Sequence, residues 1–193
     1  IPGRFGFAVI ADPISLASNQ DRHLAWSDMP PGTKSFAHTV IDPDVPSVGD
    51  DVNQAGRQVA ADLPRVDFTH WLLANIPASM HSIEAGAFSD RIQAPGTADS
   101  GLFHTRQGLN DYTGWFAGDA DMAGQYHGYD GPCPPWNDQR MHHYVFTVYA
   151  LDVERLELPA HFGADALLSA LAPHVLAKAS LTGRYTLNPA VSY

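Results

Sequence analysis

The chain has 193 residues, of which 45% are hydrophobic and 17% are charged, and these values predict one globular domain with a substantial core. Its formal net charge of −10 argues against a nucleic acid partner, because affinity for a phosphate backbone depends on Lys and Arg side chains. Cys133 is the only cysteine, so an intrachain disulfide and a cysteine-based metal cluster are excluded. We expect no cofactor, since the common nucleotide-binding motifs and metal-binding spacings do not occur.

No part of the sequence is apolar over the length needed to cross a bilayer, so no integral membrane segment is predicted. The sequence opens with Ile1-Pro2-Gly3-Arg4, which is not a signal-peptide pattern. We expect a cytoplasmic protein, with a periplasmic or secreted protein as the alternative if a signal peptide was removed.

Four apolar runs, separated by clusters of Pro and Gly, predict β-strands. In chain order they cover residues 5–10, 34–41, 68–76 and 143–151. The first run is followed by Asp12-Pro13 and the second by Asp42-Pro43, where we expect these strands to end. The last two runs are nearly continuous in hydrophobicity, which is typical of central strands that are buried on both faces.

One segment, residues 165–179, has apolar residues at near-helical spacing in an Ala-rich background and predicts a helix. We expect Pro173 to kink or divide this helix and Gly183 to end it. Residues 50–65 have a weaker helical tendency, and residues 90–124 predict long loops with short strands. The elements together predict a mainly β domain, a β-rich α+β fold, with a helix near the C-terminus.

Two proline-rich segments carry most of the residues that are suited to chemistry. They are Asp42-Pro43-Asp44-Val45-Pro46 and Gly131-Pro132-Cys133-Pro134-Pro135, and His70 and His142-His143 follow them along the chain. Proline fixes φ and removes a backbone donor, so such segments hold nearby polar groups in place. If the two segments meet in space, they form a small preorganised pocket with carboxylate and imidazole walls, which is our candidate functional site.

Asp42 and Asp44 lie one residue apart, and in an extended chain their side chains point the same way. Such a pair can serve acid–base chemistry, bind a metal or accept hydrogen bonds, but it can also be ordinary turn chemistry. His70, inside an apolar strand, is either a core histidine or a partner of Asp42, which would orient its ring and raise its pKa.

His142 and His143 are adjacent on a strand, so at most one of them can line a pocket that forms on one face. Cys133 could act as a nucleophile if His142 or His70 supplied the base. No pattern of a known cysteine hydrolase surrounds it, so a small residue that fills a tight loop is the favoured interpretation.

Taken in order along the chain, these segments resemble the phosphatidylethanolamine-binding protein family, also called Raf kinase inhibitor-like proteins, and in particular its bacterial branch. The family patterns are Asp-Pro-Asp-x-Pro-Ser, His-Trp-x-x-x-Asn-(Ile/Leu)-Pro and Gly-Tyr-x-Gly-Pro-x-Pro-Pro, the last followed by His-x-Tyr-x-Phe. The matching segments begin at Asp42, His70, Gly128 and His142. The resemblance covers roughly residues 20–185.

The resemblance implies a large antiparallel sheet packed on a smaller sheet, with helices near the C-terminus. It also implies a pocket for a small anion, a phosphate group or a phospholipid head group, in a non-catalytic protein that could regulate a kinase or protease partner. The implied pocket side chains are Asp42, Asp44, His70, His142 and Tyr144. The implied walls are the backbone around Val45, Pro46, Gly131, Pro132, Cys133, Pro134 and Pro135.

The segment of residues 49–66 is longer than the family pattern leads us to expect. We therefore predict an inserted loop that forms a lid or a contact surface within a single domain. The hydrophobic end, residues 187–193, could dock on the domain itself or on a second copy in a homodimer. The alternative function is a hydrolase of esters or phosphoesters, in which Cys133 or a metal-bound water is the nucleophile and His142 or His70 is the base.

Overall fold

The structure is a computed structural model that describes residues 1–10 and 14–192. Within them the strands are β1 (Ala8–Ile10), β2 (Ile14–Leu16), β3 (Leu24–Ala25), β4 (Ser35–Pro46), β5 (Arg65–Pro77), β6 (Ser82–Ile83), β7 (Gly96–Thr97), β8 (Arg106–Gln107), β9 (Gln125–Tyr126), β10 (His142–Leu151) and β11 (Val175–Tyr185). The α-helices are α1 (Tyr112–Trp115) and α2 (Ala164–Leu171), and short 3-10 turns cover Gly3–Phe5, Leu102–His104 and Ala172–His174.

The centre of the fold is a five-stranded antiparallel sheet with the order β11-β10-β4-β5-β8. Three two-stranded ladders surround it, β1-β2, β3-β6 and β7-β9, of which the last is parallel. The β3-β6 ladder packs on the large sheet, because Leu24 and Ile83 belong to the main hydrophobic cluster. The predicted mainly β fold, with a large antiparallel sheet and a C-terminal helix, is confirmed.

The large sheet is covered on both faces, as the continuous apolar run of β5 predicts. One face contributes Trp71, Phe36 and Phe146 to the main cluster. The other face packs Leu72 against Phe162 and the buried side of α2. Residues 69–76 of β5 are therefore buried without interruption, and this strand anchors the residues around His70 rigidly.

β4 continues beyond its predicted end at Asp42-Pro43 and runs to Pro46. Asp42 pairs with Phe68 and Val45 with Val66, so β4 has one more residue than β5 between these two pairs. This is a β-bulge, a place where a proline can lie in a strand because its position is not part of the regular ladder. At the first predicted strand only Ala8–Ile10 forms a strand, and Asp12-Pro13 lies outside the described residues.

The predicted helix over residues 165–179 is wrong beyond Leu171. Pro173 lies in a 3-10 turn, and the chain from Val175 onward is β11, which pairs with β10 along its length. Gly183 lies inside this strand opposite Tyr144 and does not end a helix. Pairing with β10 outweighs the weak helical preference of an Ala-rich segment, because propensity yields to tertiary contacts.

Two further predictions concern residues 50–65 and the C-terminal end. Residues 50–65 form turns and one isolated bridge between Val59 and Asp138, instead of a helix. The C-terminal end docks on its own domain, because Leu187 is buried in the main cluster and Asn188 Nδ2 donates to the Asp138 carbonyl at 2.7 Å. A second copy is therefore not needed to cover Leu187.

Candidate ligand-binding site

The two proline-rich segments meet at a cavity of about 500 Å³. The predicted site residues that line it are Asp42, Val45, Pro46, His70, Cys133, Pro134, Pro135, His142 and Tyr144. Strand β4 supplies Asp42, β5 supplies His70 and β10 supplies His142 and Tyr144, so its polar floor stands on three neighbouring strands of the rigid sheet. Asp44, Gly131 and Pro132 do not line the cavity.

Asp44 lies away from the cavity because the bulge in β4 separates it from Asp42. Its carboxylate accepts hydrogen bonds from the backbone N–H and ring Nδ1 of His143, at 3.0 and 2.8 Å, and lies 3.5 Å from Arg140. The expectation that both aspartates point the same way is wrong. Only His142 of the histidine pair lines the cavity, as alternation along a strand requires.

Gly131 and Pro132 shape the cavity wall through their backbone. A side chain at Gly131 would meet the Phe5 carbonyl oxygen at 2.2 Å, so only glycine fits this approach. The Gly131 carbonyl accepts the Tyr112 hydroxyl at 2.8 Å, and the Pro132 carbonyl accepts the Phe7 N–H at 2.9 Å. These contacts fix the second proline-rich segment against the N-terminal residues and α1.

The floor of the cavity contains a chain of buried charges. His142 Nδ1 lies 2.6 Å from Asp42 Oδ2, and His142 Nε2 lies 3.1 Å from Asp138 Oδ2. Arg65 completes the chain with a bidentate pair to Asp138 at 2.5 and 3.0 Å. Both carboxylates accept hydrogen bonds, so both ring nitrogens of His142 carry protons and the ring is a cation.

The charge states in this chain depend on one another. Burial alone would lower the pKa of His142, but the hydrogen bonds to Asp138 and Asp42 outweigh it and raise the pKa to about 9. Burial alone would raise the pKa of Asp138, yet the hydrogen bonds from His142 and Arg65 lower it overall. Two cations therefore balance two carboxylates, and the floor brings no net positive charge to a ligand.

His70 takes a different partner from the predicted one. Its Nδ1 lies 2.7 Å from the Asp130 carbonyl oxygen, which can only accept, so Nδ1 carries the proton. Burial lowers the pKa of His70, and the nearby charge of Asp42 opposes this without reversing it. The predicted rise in pKa is wrong. His70 is a neutral ring, and its Nε2 accepts no hydrogen bond from the described residues.

The Tyr144 hydroxyl is a buried polar group with no hydrogen-bond partner among the described residues. Burial and the neighbouring Asp42 carboxylate raise its pKa well above the usual range, although no hydrogen bond of acceptable geometry joins the two. The hydroxyl is therefore protonated and able to donate. An unpaired buried hydroxyl is costly, and such groups in a cavity are candidates for ligand contact.

The surroundings of Cys133 do not favour its thiolate. Burial raises the pKa of its thiol to about 11, so the reactive thiolate is scarce near neutral pH. His142, one of the two predicted bases, has both ring nitrogens occupied by carboxylates. The arrangement weighs against a Cys133–His142 nucleophile pair and agrees with a residue that fills the loop.

The rest of the cavity is apolar and opens to solvent. Aromatic side chains form its walls, and they are Phe7, Phe68, Tyr112 and Phe116. Leu16, Val48 and Trp115 stand at its mouth and are 67%, 52% and 53% exposed. A ligand with an apolar part could cover these side chains, since large apolar side chains clustered at a cavity mouth are typical of binding sites.

The segment predicted as an insertion forms one wall of the cavity. Val52 and Asn53 line it, and Asn137 holds the turn in place: its Nδ2 donates to the Asp51 carbonyl at 2.8 Å and its Oδ1 accepts the Asn53 N–H at 3.0 Å. Trp136 N–H in turn donates to Asn53 Oδ1 at 2.9 Å. Residues 51–53 are thus attached to the loop that precedes His142.

Several residues of the site escaped the sequence analysis. Arg65 and Asp138 are distant in sequence and gave no motif, although Asp138 lies four residues before His142 on the same segment. Asp130 lies within a matched family segment, and its carboxylate is held by Asn19 and Asn110 Nδ2, each at 2.8 Å. Burial raises the pKa of Asp130 to about 7.

Among residues 1–10 and 14–192, no group of three or more His, Cys, Asp or Glu side chains is arranged to hold a metal ion. No helix within these residues is both long and apolar enough to cross a membrane.

The chain matches the family model described as phosphatidylethanolamine-binding protein over residues 1–186. The chain belongs to the phosphatidylethanolamine-binding protein family. The resemblance that the motifs indicated is confirmed, and members of this family are generally non-catalytic.

Bacterial relatives and solved structures agree with this assignment. The chain is 30% identical over 168 residues to the UPF0098 protein YbhB of Escherichia coli K12, covering 87% of this chain and 82% of that protein. It is 32% identical over 163 residues to a UPF0098 protein of Aquifex aeolicus, covering 84% of this chain and 72% of that protein.

The crystal structure of Escherichia coli YbcL, described as a member of the mammalian family, is similar with a TM-score of 0.62 and 29% identity, over 88% of this chain and 82% of that one. A putative family homologue from Chlamydia trachomatis has a TM-score of 0.63 and 25% identity, over 96% of this chain and 88% of that one.

Proposed function

We propose that the protein is a non-catalytic binding protein whose cavity takes a ligand with a small anionic head, such as a phosphate group or a phospholipid head group, and an apolar remainder. The observation that carries this proposal is the unpartnered Tyr144 hydroxyl on the polar floor of a cavity of about 500 Å³ with apolar walls. A phosphate or carboxylate oxygen would accept a hydrogen bond from this hydroxyl and remove the cost of an unmade hydrogen bond.

The charges on the floor restrict the form in which an anion binds. The charges of the floor are balanced and no Lys or Arg lines the cavity, so a fully ionised phosphate would meet no net attraction. A singly protonated phosphate gains two hydrogen bonds there, because its O–H can donate to His70 Nε2 while another oxygen accepts from Tyr144. Asp42 is held by His142 and serves to fix that ring instead of touching the anion.

A kinase or protease partner follows from the resemblance alone, and no residue of the site supports one over the other. The hydrolase alternative is disfavoured by the contacts of Cys133 and His142, and no observation raises it to a second proposal.

The test follows histidine side-chain NMR signals during titration with inorganic phosphate, acetate, phosphoethanolamine and hexyl phosphate. We expect saturable shifts at His70 and His142. Hexyl phosphate should bind at least about tenfold more tightly than inorganic phosphate, because each buried methylene contributes about 0.8 kcal/mol. Absence of saturable shifts with every probe would remove the anion site, and equal affinity for the two phosphates would remove the role of the apolar walls.

Tyr144→Phe isolates the hydroxyl. We expect a loss of about tenfold or more in affinity for hexyl phosphate, since hydrogen bonds to charged groups contribute about 1.5–3 kcal/mol. Stability should not fall, because the hydroxyl makes no hydrogen bond in the free protein. Tyr149→Phe is the matched control, since Tyr149 lies on the same strand outside the cavity. Equal affinity in the two variants would contradict the assignment of Tyr144.

A further inference from the structure

His127 and His161 bring two ring nitrogens together outside the ligand cavity. His127 Nε2 lies 3.4 Å from His161 Nδ1, and the two ring centroids are 5.4 Å apart. His127 is buried and His161 is exposed, so the pair can be reached from solvent on the side of His161. The two residues are 34 positions apart and form no local motif, which is why the pair escaped the sequence analysis.

The ring of His127 is oriented by contacts on its other side. His127 Nδ1 lies 3.0 Å from the Gln107 carbonyl oxygen, which can only accept, so Nδ1 carries the proton. In the neutral ring, Nε2 then has a lone pair on the side of His161. The His127 backbone N–H donates to the Thr97 carbonyl at 2.9 Å, so the residue is fixed at both its backbone and its ring. Histidines that bind a metal almost always donate their other ring N–H to a carbonyl, a carboxylate or water.

The backbone on either side of His161 is also fixed. Before it, the Ala160 carbonyl accepts a hydrogen bond from the Arg106 guanidinium at 3.0 Å. After it, the Phe162 carbonyl accepts the Leu109 N–H at 2.8 Å, and the Phe162 side chain is buried in the core beneath α2. The exposed ring of His161 therefore projects from an anchored segment, and little backbone order has to be gained when an ion binds.

The separation of the two nitrogens suits a shared metal ion better than a strong hydrogen bond. Hydrogen bonds from protein N–H groups usually span about 2.7–3.2 Å between the heavy atoms, so a contact at 3.4 Å is a weak one. Two imidazole nitrogens bound to tetrahedral Zn²⁺ at about 2.0–2.1 Å lie about 3.3–3.4 Å from each other. The two rings are thus held at the separation that such an ion requires.

We propose that His127 Nε2 and His161 Nδ1 bind one divalent transition-metal ion of the Zn²⁺ type, with water in the remaining positions. The ion takes the place of the proton between the rings, and neutral His161 then carries its proton on Nε2. Imidazole suits Zn²⁺, Cu²⁺ and Ni²⁺, whereas Mg²⁺ and Ca²⁺ prefer oxygen ligands. The site does not depend on the proposed function, since neither histidine lines the cavity.

The number of protein ligands determines what kind of metal site this is. Among residues 1–10 and 14–192, no third His, Cys, Asp or Glu completes a larger group, so two ligands come from the protein. Closed sites with four protein ligands are structural, whereas sites with open positions keep water or another ligand on the metal. The nearby Arg106 guanidinium lies 3.9 Å from the Asp99 carboxylate, which partly offsets its repulsion of a cation. We therefore expect an exchangeable ion.

The first test is isothermal titration calorimetry with Zn²⁺ in a buffer that contains excess Mg²⁺, which occupies sites made of carboxylates alone. We expect one Zn²⁺ per chain at this site. His161→Ala should weaken Zn²⁺ binding at least about tenfold, because loss of even a supporting partner of a metal ligand costs about 10–100-fold in affinity. His174→Ala is the matched control, since the His174 ring is also partly exposed and its Nδ1 lies 2.9 Å from the Asp152 carboxylate.

The second test identifies the coordinating nitrogens by ¹⁵N NMR of the histidine rings during the same titration. We expect the largest shifts at His127 Nε2 and His161 Nδ1, complete at one equivalent of Zn²⁺. His161→Ala replaces an exposed side chain, so its fold can be checked by the unchanged signals of the other histidines. Absence of Zn²⁺ binding, equal losses in the His161 and His174 variants, or coordination at other histidines in place of this pair would each overturn the proposal.

Discussion

His142 and His38 lie on the same face of the large sheet, one at its polar end beside the cavity and one in the apolar core, and both side chains are buried. His142 lies between the carboxylates of Asp42 and Asp138, and its pKa is raised to about 9. His38 donates Nδ1–H to the Thr147 carbonyl at 2.9 Å, and burial lowers its pKa to about 4. Two imidazoles with similar burial are thus a cation and a neutral ring at pH 7.

The difference shows that partners, and not burial, decide the charge of an interior histidine here. His70 follows the His38 pattern, with one carbonyl partner and a lowered pKa, although it lies beside His142 in the cavity. The floor of the cavity therefore carries one neutral imidazole and one imidazolium that is already paired twice. Such a floor suits a polar group that brings its own proton.

The largest test of this comparison removes one charge from the polar end. Asp138→Asn keeps the shape of the side chain but leaves Arg65 and His142 without their shared carboxylate. We expect a loss of about 3–5 kcal/mol in the free energy of unfolding, because breaking a buried ion pair leaves uncompensated charge. Urea denaturation at pH 7 measures it.

Asp44→Asn is the matched control for that change. Asp44 also accepts hydrogen bonds from a histidine and lies near an arginine, but its partners His143 and Arg140 are 44% and 41% exposed at the side chain. Exposed pairs contribute little, so we expect a loss below about 1 kcal/mol. Equal losses in the two aspartate variants would show that the buried chain of charges has no special energetic role.

The second test uses pH, since the two histidines give opposite dependences. The folded pKa of His142 is about 9 and its unfolded pKa about 6.5, so its contribution is complete below pH 6.5 and is lost as pH rises toward 9. The folded pKa of His38 is about 4, so its contribution is complete above pH 6.5 and is lost as pH falls toward 4. Each shift corresponds to about 3 kcal/mol.

The free energy of unfolding is measured from pH 4 to pH 9. On the acid side other groups also titrate, so the wild type is compared with a variant that lacks His38. Burial raises the pKa of Asp21 to about 6 and that of Asp130 to about 7, so both groups favour the folded state as pH falls. His38→Asn keeps a donor near the Thr147 carbonyl but cannot titrate. We expect the wild type to lose about 3 kcal/mol more than this variant between pH 7 and pH 4. Parallel curves would contradict the assignment of His38.

The strands that carry the site residues could be predicted because their own sequences indicate strands directly. The apolar runs of β4, β5 and β10 are long, and the family motifs place Asp42, His70 and His142 at strand positions. The partners of these residues could not be predicted in the same way. Whether Asp42 pairs with His70 or with His142 depends on strand order, since β4 lies between β5 and β10.

Other features escaped prediction because they arise from long-range contacts. One extra residue in β4 turns Asp44 away from the cavity, and no local signal separates a bulge from a strand end at Asp42-Pro43. The Leu residues before Pro173 recur at helical spacing, and the apolar residues in the Ala-rich start of β11 continue this spacing by chance. Only pairing with β10 decides that the latter segment is extended.

The smallest expected effect concerns His70 and tests how its protonation compares with that of His38 and His142. Acetate is an anion throughout the range from pH 7.5 to pH 5.5, so any change in its affinity reflects protons bound by the protein. An anion next to His70 Nε2 should favour a proton there and raise the pKa of the ring. We expect acetate to bind about tenfold more tightly at pH 5.5 than at pH 7.5, which corresponds to about 1.4 kcal/mol.

The charges around His70 determine the control for this measurement. Asp42, Asp111 and His142 act on its pKa, and Asp130, whose own pKa is about 7, holds it through a backbone carbonyl. His142 stays protonated over this range, since its pKa is about 9. His70→Gln removes only the titrating ring, so titration of Asp130 affects both proteins alike. Acetate affinity that depends on pH equally in the wild type and in this variant would place the coupled proton elsewhere, and His70 would then resemble His38 in function as well as in charge.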